Sequence, residues 1–189
     1  MLKISKHNKF NDVLLINVDT FEDERGWMSR IADNYIFKEY KIPINFQQIS
    51  HSHTKKAGVL RGMFVSLPPY QEAKIVRIIN GKMQWILVDV RPESRTYGDF
   101  SEILLDGKKG NAFFAPKGFA HGCLCLLDNT DLILMADQPF NAKHSTGFLW
   151  NDDQLQIGWR LNEIKIEQPI ISNLHSNYPN FAKLSSQIL

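Results

Sequence analysis

Cysteine is nearly absent from this sequence. Cys123 and Cys125 are the only two. They lie one residue apart, where same-strand neighbours give poor disulfide geometry, so both are expected as thiols in a cytoplasmic protein. With no second cysteine pair, they make no metal motif. Excess charge is lacking too. A net charge of +2 argues for neither nucleic acid nor an anionic membrane as partner. No apolar run approaches the roughly 18 to 20 residues of a membrane span. The N-terminal MLKISKHNKF has no apolar signal core, so no export is expected. Repeats, low-complexity tracts and linkers are missing as well. The reading is one domain over residues 1–189, long enough for a full core and short for two.

What is present is a succession of short apolar runs separated by turn chemistry. Strands are predicted at residues 13–18, 46–53, 59–66, 74–79, 83–90, 100–105, 112–115, 122–127 and 131–136. The strand at 83–90 is apolar and holds Trp85, so it belongs in the interior or at a dimer interface. Turn residues punctuate these runs, and Asn80-Gly81 is the strongest hairpin signal. Residues 34–40 form a short helix candidate stopped by Pro43. Phe21 to Trp27 reads as a charged turn. After Trp150 the chain becomes polar and rich in loops. Many short strands at regular spacing indicate a sandwich or closed barrel.

The stretch GVLRGMFVSLPPYQEAKIVR, residues 58–77, carries two cations in apolar runs, Arg61 and Lys74. Strand alternation can aim both into one cavity. A buried cation needs an anion. Two expectations follow: a ligand supplies that anion, or a distant carboxylate pairs with Arg61 across the sheet.

A second stretch, GNAFFAPKGFAH at residues 110–121, resembles the second motif of the cupins, whose fold is a small jelly roll, or double-stranded β-helix. Its strand and Pro-Gly turn deliver His121 to the start of the next strand. In metal-binding cupins that histidine joins a His-x-His pair and a glutamate. His51 and His53 offer such a pair. They come too early in the chain, and the glutamate spacing is missing. No metal and no cofactor are therefore expected. A structural or substrate-facing His121 is the favoured reading.

Together these stretches resemble the dTDP-4-dehydrorhamnose 3,5-epimerase family, from about Phe21 to Phe181. The resemblance is carried by DERG at 23–26, QISHS at 48–52, GVLRG at 58–62, VDVRPESRTYG at 88–98, APKGFAHG at 115–122 and WNDDQLQIGW at 150–159. It implies an all-β, cupin-type jelly roll with short peripheral helices, assembled as a homodimer. It implies a nucleotide-diphosphate sugar as ligand, with Arg25, Gln48, Ser50, Arg61 and Lys74 as binding residues. In the family a histidine after the LRG motif is the general base, oriented by an aspartate near the C-terminus. A tyrosine returns the proton from the opposite face, and a lysine stabilises the enolate. Here Phe64 stands at the base position and Leu134 at the tyrosine position, or Met135 if the alignment slips by one. Leu174 and His175 replace the C-terminal lysine-aspartate, and Arg30 replaces an acidic residue. Lys74, His121 and His175 are the catalytic candidates left. The expectations are an isomerase with altered proton transfer, or a sugar-nucleotide-binding homologue without turnover.

Overall fold

A computed structural model describes residues 2–43 and 45–188. Thirteen strands are present among them, nine of them placed by the alternation in the sequence. They are β1 (Leu2–Lys6), β2 (Leu14–Val18), β3 (Thr20–Asp23), β4 (Gly26–Ser29), β5 (Gln48–Thr54), β6 (Leu60–Ser66) and β7 (Lys74–Asn80). Then follow β8 (Lys82–Asp89), β9 (Phe100–Asp106), β10 (Ala112–Ala115), β11 (Phe119–Cys125), β12 (Thr130–Ala136) and β13 (Ser145–Gly147). Helix α1 is Asn34–Glu39; α2 (Asn173–Ser176) and α3 (Phe181–Ile188) lie near the C-terminus. One antiparallel sheet runs β1-β2-β10-β7-β12-β5 and a second runs β13-β6-β11-β8-β9. This is the expected jelly roll.

Alternation sorts the core into layers. In β7 the side chains of Val76 and Ile78 enter the space between the sheets, while Ile75 joins a cluster on the outer face. β12 divides the same way, with Leu132 and Leu134 inside and Ile133 and Met135 outside. Trp85 of β8 packs in the inner layer with Phe113 and Phe119, as the apolar run predicted. Phe37 of α1 covers the outer face of the six-stranded sheet. Phe148, Phe181 and Leu184 cover that of the five-stranded sheet. The loop-rich segment after Trp150 is thus a cover. Asp152, 4% exposed, holds it there by accepting hydrogen bonds from the backbone N–H of Gln154, Leu155 and Phe181.

Four readings of the sequence are corrected. Asn80-Gly81 does not make a hairpin. β7 already pairs on both edges, with β10 and β12, so β8 has no edge to join and crosses to the other sheet. The charged stretch at 21–27 is the middle of a hairpin, β3 paired with β4, rather than a turn alone. β11 starts at Phe119, because Phe119 and Ala120 pair with Asp89 and Val88; a ladder to β8 overrides the Pro-Gly signal beside it. β1 and β13 were not anticipated. They exist by pairing with β2 and β6 respectively, a long-range cause that local pattern does not carry.

The VDVRPESRTYG motif is structural. The fully buried Asp89 accepts hydrogen bonds from Arg91, Ser94 and Thr96. Burial alone would raise its pKa, but these bonds together hold it below the usual carboxylate range.

Candidate active site

A cavity of about 310 Å³ lies between the two sheets, within the range of small-molecule sites. Gln48 and Ser50 of β5, Lys74 of β7 and Leu134 of β12 form one wall. Arg61, Phe64 and Ser66 of β6, with Ser145 of β13, form the other. Glu72, Phe140 and the C-terminal Leu174, His175 and Tyr178 complete it.

On a regular strand Arg61 and Phe64, three positions apart, face opposite ways. Here both line the cavity. The ladder between β6 and β11 pairs Phe64 with His121 but Arg61 with Cys123, and its register shifts between them. This irregularity inverts the phase of the strand. It requires Gly62, whose φ is +105° and whose place a Cβ would fill 2.4 Å from the His121 carbonyl oxygen.

The two cations differ. Lys74 is buried and pairs with Glu72, Nζ to Oε1 at 2.7 Å. Its anion is therefore neither a ligand nor a distant carboxylate but the residue two positions earlier. Lys74 also lies 4.7 Å from the centre of the Phe64 ring. Arg61 is exposed rather than buried, and among the described residues its guanidinium forms no ion pair. Gln48 donates to Ser50 Oγ at 3.3 Å and accepts the Phe140 N–H at 3.0 Å, which fixes its side chain on the wall.

His175 Nδ1 accepts the backbone N–H of Gly62 at 3.2 Å. Burial, with the Arg61 charge beside it, lowers its pKa. The neutral ring then carries its proton on Nε2 and is a donor. Tyr178 packs against His175, with ring centres 5.4 Å apart. Burial raises its phenol pKa, which keeps the hydroxyl protonated. Gly147 makes the space: a Cβ there would sit 2.6 Å from the Tyr178 ring.

The comparisons with known proteins agree with this architecture. Residues 7–183 match the family described as dTDP-4-dehydrorhamnose 3,5-epimerase. The chain belongs to this family. A dTDP-4-dehydrorhamnose 3,5-epimerase of Shigella flexneri is 30% identical over 171 residues, which cover 90% of this chain and 91% of that protein. The crystal structure of the Bacillus anthracis dTDP-4-dehydrorhamnose 3,5-epimerase with TDP and pyrophosphate bound superposes with a TM-score of 0.89. Its identity is 27%, over 96% of this chain and all of that one. A Legionella pneumophila dTDP-6-deoxy-D-glucose-3,5-epimerase, in complex with dTDP-4-keto-L-rhamnose, gives a TM-score of 0.91 at 25% identity, over 100% and 97% of the two chains. These relatives are sugar-nucleotide epimerases of deoxysugar biosynthesis.

The cavity gathers Gln48, Ser50, Arg61, Lys74 and His175 from the sequence reading, together with Phe64 and Leu134. Leu134, not Met135, faces it. Two candidates lie elsewhere. His121 does not line the cavity. It is 2% exposed and packs behind Phe64, and its Nδ1 accepts the Trp85 indole N–H at 3.2 Å. Burial, with the Lys74 charge, pushes it well below the usual imidazole range. Arg25 is on the exposed β3–β4 hairpin, bonded to Asp23, and is not at the cavity rim as expected. His51 and His53 both meet Asp131 Oδ1, at 3.0 and 2.9 Å, on β5. Among the described residues no cluster of three His, Cys, Asp or Glu side chains is placed to hold a metal ion. Both cysteines are buried thiols, and burial pushes Cys123 up to about 12.

Six cavity residues escaped the sequence reading: Ser66, Glu72, Ala136, Phe140, Ser145 and Tyr178. Glu72 carried a weak signal, as a carboxylate two positions before Lys74. Tyr178 stands in a polar stretch that offers none.

Proposed function

We propose that the cavity binds a nucleoside-diphosphate-linked 4-keto-6-deoxy sugar and moves a proton at one carbon beside the keto group, without the double epimerisation at carbons 3 and 5. One observation carries the reading: Phe64 and Leu134 line the same cavity as Arg61 and Lys74. A 4-keto group acidifies the protons on both flanking carbons. Inverting both carbons requires a base on one face and an acid on the other. Neither phenylalanine nor leucine transfers a proton. The binding side of the chemistry is kept. Arg61 offers a charge-assisted bond to a diphosphate, and the Lys74 ammonium suits an enolate oxygen. A second reading, binding without turnover, is supported by His121 and His175, whose Nδ1 lone pairs are both engaged.

The proposal includes one domain, a cytoplasmic setting and a homodimer. Exposed Phe21, Trp27 and Met28 on the β3–β4 hairpin, at 53, 64 and 61%, support the dimer. The test is calorimetric titration with dTDP. The wild-type chain should bind. Arg61→Ala should weaken binding by roughly 1.5 to 3 kcal/mol, the size of a charge-assisted hydrogen bond. Unchanged affinity would mean that Arg61 does not meet the diphosphate.

A further inference from the structure

We propose that Glu72 is the general base of this cavity, taking the proton from the carbon beside the keto group and returning it on the same face. This rests on the single-carbon reading above.

Among the described residues Glu72 is the one carboxylate on the cavity wall. The other candidate bases are spent. Lys74, paired at 2.7 Å with a carboxylate, is an ammonium and a donor. The neutral His175 presents Nε2–H, because its Nδ1 accepts from Gly62. His121 lies behind Phe64. Glu72 is held in place by two bonds, from Lys74 Nζ and from the Ser66 hydroxyl at 2.9 Å. Both fall on Oε1, which leaves the lone pairs of Oε2 for a substrate C–H. Ser66 belongs to β6, the strand of Phe64, so its bond ties the carboxylate to that wall. Lys74 Nζ lies 2.7 Å from Glu72 Oε1 and 4.7 Å from the Phe64 ring centre. Proton acceptor and enolate stabiliser are thus neighbours, as removal of a proton next to a carbonyl requires.

The step balances without a co-reactant. The C–H bond breaks and its proton passes to Glu72. Its electron pair becomes the C=C bond of the enolate, and the carbonyl oxygen takes the negative charge and accepts a hydrogen bond from Lys74 Nζ. Return of a proton from Glu72 re-forms C–H. One base on one face keeps the configuration at that carbon. In heavy water, the proton that Glu72 returns is exchanged for deuterium.

The experiment follows dTDP-4-keto-6-deoxyglucose by NMR in deuterated buffer with wild type, Glu72→Gln and Glu72→Asp. Glutamine keeps an acceptor for Lys74 and Ser66 but has no basic oxygen. Exchange in Glu72→Gln should fall by about 10²- to 10⁴-fold, the usual cost of a missing general base, while calorimetric dTDP affinity stays within twofold. Glu72→Asp should retain an intermediate rate. If the wild type exchanges and Glu72→Gln keeps its rate, Glu72 is not the base and the single-carbon reading stands. If both variants lose exchange and dTDP affinity together, Glu72 is structural and the proposal fails. If the wild type binds dTDP without exchanging any carbon, the single-carbon reading itself fails, and this inference with it.

Discussion

Phe64 occupies a position where its ring covers His121 on one side and meets the Lys74 ammonium on the other. The side chain therefore does structural work: it closes off a neutral, buried imidazole from the cavity. This bears on what one substitution can restore. Phe64→His adds a base but leaves Leu134, which carries no transferable proton, on the facing wall. The expected outcome is no double epimerisation of dTDP-4-keto-6-deoxyglucose by this variant, with product stereochemistry read by NMR. Appearance of the 3,5-inverted sugar would show that another group, Tyr178 first among them, already supplies the opposite-face proton.

At the scale of elements, β6 determines the site. Its irregular pairing with β11 turns Arg61, Phe64 and Ser66 to one side while Leu60, Met63 and Val65 remain in the core. Gly62→Ala should destabilise the fold by about 1 to 3 kcal/mol, since alanine meets both an unfavourable φ and the His121 carbonyl. It should also reduce dTDP affinity by moving Arg61. Denaturant unfolding and calorimetry check the two effects; a variant as stable as wild type would refute the role given to Gly62. Much of this was legible in the sequence. Alternation located β6, β7 and β12, and the spacing of Arg61 and Lys74 predicted a shared cavity. The phase inversion was not legible, because a bulge is defined by the partner strand. Nor was the fate of His121, since the Pro-Gly spacing that placed it at a strand start carries no trace of Trp85. Arg25 was read from its motif alone, and the hairpin that bears it packs outside the cavity.

For the whole molecule, the two sheets divide the labour. Their shared interior is an apolar core around Trp85 and Phe113, and the cavity occupies the end where Gln48, Lys74 and Arg61 replace apolar side chains. The C-terminal segment covers the five-stranded sheet and brings His175 and Tyr178 to the cavity. Polar groups from both sheets, Gln48, Ser50, Lys74 and Arg61, line this end together with Phe64 and Leu134. Under the proposed function, sugar-nucleotide recognition persists here with proton transfer confined to one carbon. NMR of dTDP-4-keto-6-deoxyglucose in deuterated buffer with the unmodified protein tests it most directly. Deuterium is expected at one of carbons 3 and 5 and none at the other; rapid incorporation at both would overturn the proposed function.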